Sequence, residues 1–561
     1  MGSMPPKDRL DEVDVLLVGS GPIGAVFARK LVEAGRNVVM IDVGEQETKR
    51  IGDHKKNGIA VQKDISLFTN VVKGELQLLS VPTSNADAGL EPSAWVPEPC
   101  QQKFVLNGQN PDQKPYENLP AAAATRVVGG MGSHWTCCTP RQDPTVERST
   151  LFNDEEWDEL YKEAEKLFWT NPKIFDDSIR QKLVKSILDK AFEERNRKTA
   201  NMPLCGKRRD NNKDYTEWAC TATILGDIAH DENFKLLPNT QCVRFELDDF
   251  SKVRLVLVEN LVDNEKYRIK ANKFVVCAGA VLTPGILYNS RGPKENSPRL
   301  SETLPALGRY MTEQPMSFCQ IVLDRKYIDA IKKNEYELGA EEKKAVQAHE
   351  KKFPNDPLPF PYNDPDPQCY FPLTKDYPWH TQIHRDAFGY GQIPAGIDQR
   401  VIVDLRWFGY TKPNYDNRVS FSDEIKDGFG MPQPTFHFKI DQDDADRSRR
   451  MITDMVDVAR CLGGFLPGAE PKYLPAGSAL HICGTYRAGK DKYDELTKEE
   501  SVVDRFGKVW GQDNLVLGGC GVIPTQNACN PTLTAGCFAL AASEQIIKEL
   551  KGVKAFKPRT L

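Results

Sequence analysis

Val13-Asp14-Val15-Leu16-Leu17-Val18-Gly19-Ser20-Gly21-Pro22-Ile23-Gly24 lies near the start of the chain. Its first half is apolar and rich in β-branched side chains, the pattern of a strand buried on both faces of a parallel sheet. Its second half is Gly-x-Gly-x-x-Gly. Ala25 to Glu33 then follow a helical period, and Asn37-Val38-Val39-Met40-Ile41 form a second strand that ends in Asp42. Together these make a βαβ unit of about 30 residues, the dinucleotide-binding pattern. Gly19 makes the turn, Gly21 admits a pyrophosphate against the helix N-terminus, and Gly24 lets helix and strand pack closely. Asp42 is placed to accept hydrogen bonds from ribose hydroxyls.

This unit alone leaves NAD and FAD open. Two later stretches bear on the choice. Lys273-Phe274-Val275-Val276-Cys277 runs into Ala278-Gly279-Ala280, and Asn514-Leu515-Val516-Leu517 runs into Gly518-Gly519-Cys520-Gly521. Both read as strands that end in small residues at the same ligand edge. A nucleotide domain built from both ends of the chain is discontinuous, which suits a long, buried flavin better than a nicotinamide.

The composition fits a globular protein. Of 561 residues, 40% are hydrophobic and 27% charged, with a net charge of −5 and a pI near 6.0. Nothing here points to nucleic acid or an anionic membrane surface as a partner. The length suggests several domains' worth of chain at about 150 residues each, folded as two interleaved domains. The 14 cysteines are scattered, with Cys137 and Cys138 adjacent and no spacing that suits zinc, so reduced thiols and no metal are expected. No apolar run reaches the length of a membrane span. The polar N-terminus shows no recognisable signal peptide. An intracellular location is expected, with release to a periplasmic or cell-wall space by a non-signal route as the variant.

Between the nucleotide segments the character changes. Residues 154–168 and 179–195 read as amphipathic helices, with Trp157, Leu160, Tyr161, Ala164 and Leu167 on one stripe of the first. Residues 240–271 read as strands, and Val401 to Phe408 as a central strand. Residues 443–464 and 535–551 read as helices. The stretch 326–368 is rich in Lys and Glu, then in Pro, and reads as an exposed, partly helical excursion. His380 to Gly391 mixes polar, aromatic and glycine residues without a period, the composition of a mobile loop able to recognise a polyol.

Three polar residues stand out. His134 closes the Gly-rich stretch Thr125-Arg126-Val127-Val128-Gly129-Gly130-Met131-Gly132-Ser133-His134-Trp135-Thr136, where the backbone can approach a flat ligand. His481 follows an apolar lead-in and precedes a glycine turn. Asn530 precedes Pro531, with Thr532 or Thr534 expected to cap the final helix. Each has a plain structural reading as a core histidine or a turn residue. Brought to one flavin face, His481 and Asn530 could accept a hydroxyl proton and hold the alkoxide as hydride leaves.

Seven strings in order resemble the glucose–methanol–choline (GMC) oxidoreductases, and among them the fungal enzymes that oxidise pyranose sugars. They are VGSGPIGA (18–25), IGDHKKN (51–57), TRVVGGMGSHWTCCTPR (125–141), WHTQIHRDAFGYG (379–391), MPQPTF (431–436), HICGTYRAG (481–489) and GGCGVIPTQNACNPTLT (518–534). The resemblance implies an α/β flavoprotein with a discontinuous Rossmann-like FAD domain and an α+β substrate domain with a large β-sheet. The FAD domain is expected from 11–80, 115–140, 236–315 and 480–561. The substrate domain is expected from 81–114, 141–235 and 316–479, with a shortened head excursion at 326–368 and a substrate loop at 382–391.

The resemblance also implies roles. FAD is expected to be covalent through His134. Thr136 lies near flavin N5, and Thr125, Arg126, Gly130, Trp135, Ala278, Gly279, Gly519 and Cys520 line the cofactor. His481 and Asn530 match the catalytic pair. Gln382, Asp386, Phe388 and Tyr390 match the substrate loop, and Ala479 lines the sugar site. The implied reaction is oxidation of a D-glucose-like pyranose at C2, with O2 reduced to hydrogen peroxide or a quinone reduced. The alternative is oxidation at C3 of a glycoside, or of another cyclic secondary alcohol. A homo-oligomer, dimer or tetramer, is implied. Three positions depart from the family pattern. Gly132-Ser133 replaces Ser-Thr, Tyr486 replaces a second histidine, and Ala479 replaces a valine and leaves more room.

Overall fold

The computed structural model describes residues 10–60, 62, 71, 75–82, 108–209, 212–292, 297–336, 338–385, 393, 396–490 and 499–554. Strand Leu10–Val18 is central to a seven-stranded sheet. On one side it pairs in parallel with Val38–Ile41, which pairs in parallel with Phe234–Leu237. On the other it pairs in parallel with the long strand Glu265–Val276, from Leu10 opposite Arg268 to Val18 opposite Val276. The first part of that long strand carries an antiparallel meander, Val253–Asn260 and then Thr240–Leu247. Its last part, Phe274–Val276, pairs in parallel with Leu515–Leu517. Lys273 to Val276 is therefore the end of a longer strand, and three distant stretches of chain meet in one sheet. Val15, Leu16, Leu17, Val39, Met40, Val275 and Val276 are buried, which is why their strands read as unbroken apolar runs.

Helix Pro22–Glu33 returns across this sheet with Pro22 in its first turn, where no amide hydrogen is missed. It packs against the final helix, Thr532–Glu549. Neither Thr532 nor Thr534 caps that helix. Pro531 occupies the cap position without a side-chain bond, and the Thr534 hydroxyl is 2.9 Å from the Tyr161 hydroxyl instead. Tyr161 comes from helix Asp154–Leu167, which starts in an Asn153–Glu156 capping box. Trp157 and Tyr161 face the final helix, the Trp157 ring meeting Phe538 edge-on at 5.6 Å. Leu160 and Leu167 lie only partly buried beside them. This part of 141–235 thus shares the first sheet's core.

The second sheet is antiparallel throughout, in the order Gly463–Phe465, Met316–Leu323, Ile402–Phe408, His380–His384, Gln368–Tyr370, Ala200–Asn201, with Lys472–Tyr473 also pairing Met316–Leu323. Its back face is apolar. Ile321, Ile383, Leu405 and Trp407 pack there with Met451, Met455 and Val458 of helix Gln442–Leu462 and with helix Ile179–Ala191. The indole N–H groups of Trp379 and Trp407 both donate to one Asp454 oxygen at 2.9 Å, which ties helix to sheet. The second amphipathic segment stops at Ala191; Glu193–Arg195 form a separate 3₁₀ turn that ends at Asn196 in the left-handed region.

The stretch 326–368 differs from its expected exposure. It carries helices Arg325–Lys332 and Ala340–Lys352, and Ile328, Ile331, Val346 and Phe360 are buried in the second core. The Lys and Glu residues hide an apolar residue every third or fourth position, which suffices to dock a helix. Asp356 completes the attachment with a two-pronged ion pair to Arg400 at 2.8 and 3.0 Å.

Every cysteine among the described residues is free. Among those residues no helix is long and apolar enough to cross a membrane, and no group of His, Cys, Asp or Glu could hold a metal ion.

Candidate active site

A cavity of about 1020 Å³ runs from the Gly19–Gly24 turn to the front face of the second sheet. Its first end is shaped by glycines. Gly19 has φ +98°, and a Cβ there would lie 2.5 Å from the Cys277 carbonyl oxygen. At Gly24 a Cβ would lie 2.1 Å from the Gly19 oxygen, so helix and strand meet backbone to backbone. Gly21 differs. The nearest atom its Cβ would meet is the Gly129 oxygen at 4.0 Å, so its face is open. Gly21 is also the cap residue of helix Pro22–Glu33 and offers no side chain to the first-turn amides. Open amides at a helix N-terminus suit an anion. The far wall carries Ala278 and Gly279, the latter at φ +87° with free space beyond it. Gly519 and Cys520 line the same wall. These positions fit the pyrophosphate and length of a dinucleotide.

Asp42 lines the cavity, but most of its bonding is internal. Its Oδ2 accepts from the Ser20 N–H at 2.8 Å and the Ser20 hydroxyl at 2.6 Å, and its Oδ1 accepts from the Gly44 N–H at 2.8 Å. Burial raises its pKa, and these bonds oppose the shift. A carboxylate has about four acceptor sites, so room for a ribose hydroxyl remains. The Ser20 hydroxyl also accepts from the Gly129 N–H at 2.8 Å, and the Thr221 hydroxyl donates to the Ser20 carbonyl at 2.8 Å. One serine thus joins the first turn, the second strand and the segment that holds His134.

That segment makes a 3₁₀ turn, Gly130–Ser133, and then presents His134, Trp135 and Thr136 to the cavity. His134 Nε2 lies 2.8 Å from the Thr125 hydroxyl. Burial lowers the His134 pKa to about 3, so the ring is neutral at ordinary pH. Trp135 donates its indole N–H to the Ala219 carbonyl at 2.9 Å, and His54 Nε2 donates to the Trp135 carbonyl at 2.8 Å. The IGDHKKN string therefore supports the back of the segment; Gly52 passes so close that a Cβ there would sit 2.8 Å from the Gly129 Cα. Gly132 is explained by its neighbour. A Cβ at 132 would lie 2.4 Å from Pro22 Cγ. Arg126 spans the rim, donating to Gln77 at 2.6 Å and Asp427 at 3.0 Å.

The other end of the cavity holds the polar groups. His481 follows Leu480, which has φ +57°, a conformation unusual for a branched side chain. His481 Nδ1 lies 2.7 Å from Gln314 Oε1, and Nε2 lies 3.2 Å from Asn530 Nδ2. Asn530 Oδ1 accepts from Gln382 Nε2 at 3.0 Å. Behind them, Glu313 accepts from the backbone N–H of His481 at 3.1 Å and of Gln314 at 2.7 Å. Burial lowers the His481 pKa to about 3, helped by His380 and Arg406, and raises Glu313 to about 8. A neutral, half-buried imidazole next to a carboxamide can take a proton from an alcohol while the amide holds the same oxygen.

The structure brings His134, Thr136, Ala479, His481, Asn530 and Gln382 to one cavity. Gln382 lies in strand His380–His384, not in a loop. Alternation sends His380, Gln382 and His384 to the side shared with Phe408, Arg406 and Asp404, which pair with them in that order. Asp386, Phe388 and Tyr390 lie outside the described residues. Tyr486, at the position of the family's second histidine, is buried and donates its hydroxyl to the Gly518 carbonyl at 3.0 Å. It fills the space beside Gly521, where a Cβ would fall 2.2 Å from its ring.

Four residues near the site escaped sequence reasoning: Glu313, Gln314, His380 and Arg406. Arg406 left a trace, a lone cation with Asp404 in an apolar strand. Glu313-Gln314 left none, because Thr-Glu-Gln-Pro reads as an ordinary turn.

The family model described as GMC oxidoreductase matches residues 413–539. A pyranose 2-oxidase of Emericella nidulans is 44% identical, covering 97% of this chain and 93% of its own. A C-glycoside 3-oxidase of Microbacterium trichothecenolyticum is 28% identical, covering 96% of this chain and 97% of its own. Among solved structures, a formate oxidase of Aspergillus oryzae superposes with a TM-score of 0.63 at 13% identity, over 98% of this chain and 100% of that one, which shows the shared fold. With a relative so similar over almost the whole length of both chains, the chain belongs to the pyranose 2-oxidase family of the GMC oxidoreductases.

Proposed function

We propose that this protein is an FAD-dependent sugar oxidase. It oxidises a D-glucose-like pyranose at C2 to the 2-ketosugar and passes the electrons to O2, giving hydrogen peroxide, or to a quinone. The observation that carries the reading is the pair formed by His481 Nε2 and the Asn530 amide, 3.2 Å apart at the end of a dinucleotide-shaped cavity. FAD, when bound, supplies the two-electron acceptor for hydride from the sugar carbon.

The chain's own residues do the rest. Gly19 and Gly21 would border the pyrophosphate, Gly24 lets the helix pack behind them, and Asp42 offers its remaining acceptor site to the ribose. His134 is the proposed covalent tether; its neutral imidazole keeps the lone pair that bond formation needs. Thr136, on the same segment and lining the same cavity, would stand beside the flavin. His481 Nε2 takes the hydroxyl proton, and Asn530 Nδ2 donates to the oxygen as charge develops there, a contribution of about 10²–10⁴-fold for the acid–base step. Gln382, Asp386, Phe388 and Tyr390 are the proposed sugar contacts.

In this reading the first sheet carries the FAD-binding domain and the second the substrate-binding domain, with part of 141–235 packed on the first sheet's core, and assembly as a homo-oligomer rests on the family resemblance. A second reading, oxidation at C3 of a glycoside, is favoured by the small side chain of Ala479 and by the glycoside oxidase among the relatives. An oxygen-electrode trace separates oxidase from dehydrogenase. Oxygen uptake and peroxide on adding D-glucose are expected; turnover with benzoquinone alone would make the protein a dehydrogenase.

A further inference from the structure

We propose that Gln314 is a positioning residue: it holds His481 in the tautomer protonated at Nδ1 and so presents an unprotonated Nε2 to the substrate hydroxyl. The inference rests on the reading of His481 as the proton acceptor.

The geometry leaves Gln314 one orientation. Its Nε2 lies 2.9 Å from the carbonyl oxygen of Asn527 and 2.9 Å from that of Cys529. Carbonyls only accept, so the amide nitrogen faces them and the amide oxygen faces His481. That oxygen, 2.7 Å from Nδ1, also only accepts, so Nδ1 carries the hydrogen. A neutral imidazole then has a bare Nε2. The far side agrees. Asn530 Oδ1 is held by Gln382 Nε2 at 3.0 Å, which turns Asn530 Nδ2 toward His481 Nε2 at 3.2 Å as a donor. Donor and acceptor roles follow without conflict from the two carbonyls through Gln314, His481 and Asn530 to Gln382.

The anchor is rigid. Asn527 and Cys529 belong to the segment that carries Asn530, so one loop sets both sides of the imidazole. Glu313 fixes the two backbones by accepting from the N–H of Gln314 and of His481. Gln314 itself is buried. The other groups facing or influencing the ring are the Phe408 ring, with centroids 5.8 Å apart, the buried His380 imidazole, which burial keeps neutral at pH 7, and the Arg406 charge. When the substrate O–H bond breaks, its proton goes to Nε2, and the imidazolium keeps its Nδ1–H on Gln314. Protonated Nε2 no longer accepts from Asn530 Nδ2, which leaves that N–H to the substrate oxygen, while Asn530 Oδ1 still accepts from Gln382 Nε2.

The test uses flavin-loaded protein labelled with ¹⁵N-histidine, with the His481 signals assigned by loss in a His481→Ala variant. At pH 7 the resting wild type is expected to show Nδ1 protonated and Nε2 bare. In Gln314→Met, similar in size but without an acceptor, a mixed or reversed tautomer is expected. Its anaerobic flavin reduction by D-glucose should fall between about 10-fold and about 10³-fold, with the apparent Kd for sugar within about threefold of wild type. The upper bound stays below the ~10⁴ known for a histidine base locked in the wrong tautomer. In Gln314→Glu the oxygen that replaces Nε2 faces the Asn527 and Cys529 carbonyls, which requires a protonated carboxyl there, while the other oxygen still accepts from Nδ1; the Nδ1 tautomer and most of the reduction rate are expected to return. A residue with a purely packing role would not move the tautomer. A wild-type His481 protonated at Nε2, or wild-type reduction in Gln314→Met, overturns the proposal. If no pyranose reduces the wild-type flavin, the sugar reading fails, and the resting tautomer still decides this one.

Discussion

Replacing Gly132 by alanine tests how the cofactor end is held together. The added Cβ would sit 2.4 Å from Pro22 Cγ and 2.7 Å from Pro22 Cδ. Carbon atoms rest about 3.5–4.0 Å apart. The two backbones must therefore separate by about 1 Å, and both of them line the cofactor cavity. Overpacking of this kind costs about 1–3 kcal/mol. Pro22→Ala removes Cγ and Cδ and leaves a Cβ, whose counterpart in proline is 3.8 Å from the new methyl, an ordinary contact. Alone, Pro22→Ala should cost only the preference for proline at a helix start and a more flexible unfolded chain, about 0.4–1 kcal/mol. In the double variant the alanine at 132 should add little.

The assay is urea unfolding of the flavin-loaded protein at unchanged slope, with the flavin-reduction rate read in parallel. A displacement of about 1 Å near reacting groups can cost about 10²-fold in rate, so Gly132→Ala should slow reduction as well as lower the midpoint. A coupling of about 1–3 kcal/mol in the double-mutant cycle is expected. Additive costs, or a Gly132→Ala protein as stable as wild type, would refute the reasoning that the Pro22 ring dictates glycine at 132.

Three further outcomes follow from the same site. His481→Ala should keep its yellow flavin and lose flavin reduction by about 10²–10⁴-fold, checked by stopped-flow bleaching; full activity would remove it as the proton acceptor. His134→Ala should release its flavin on acid precipitation while wild type keeps it in the pellet; release from wild type as well would end the covalent proposal. Ala479→Val should lower kcat/KM for methyl glycosides relative to free glucose by about tenfold, the scale of an extra methyl group or two in a tight pocket, and an unchanged ratio would mean that position 479 does not face the aglycone.

Much of the fold could be read because its signals are local. Val13 to Asp42 carry strand, turn, helix and acid within a short span, and Gly19 and Gly24 have steric reasons there that a sequence pattern preserves. The shared edge of Val276 and Leu517 could be read for the same reason, since both strands end in small residues against the ligand. What could not be read depended on distant partners. Thr534 is a good cap in isolation, but the Tyr161 hydroxyl claims it. Gln382 sits in a stretch that looks like loop, yet pairing with Arg406 makes it strand, and the strand's alternation aims it at Asn530. The excursion at 326–368 looks exposed because its charges outnumber the few apolar residues that dock it. Gln314 was invisible because its importance comes from two carbonyls more than two hundred positions away. The histidine and asparagine that the motifs singled out were legible as residues; the relay that orients them was not.

The central claim is that His481 and Asn530 act on a sugar hydroxyl beside a bound flavin. Anaerobic mixing of the purified protein with D-glucose tests it most directly, with the flavin absorbance followed in time and the product's ketone located by NMR. Bleaching of the flavin with one equivalent of 2-keto product is the predicted result. A flavin that stays oxidised with glucose and with every other pyranose and glycoside offered would contradict the account.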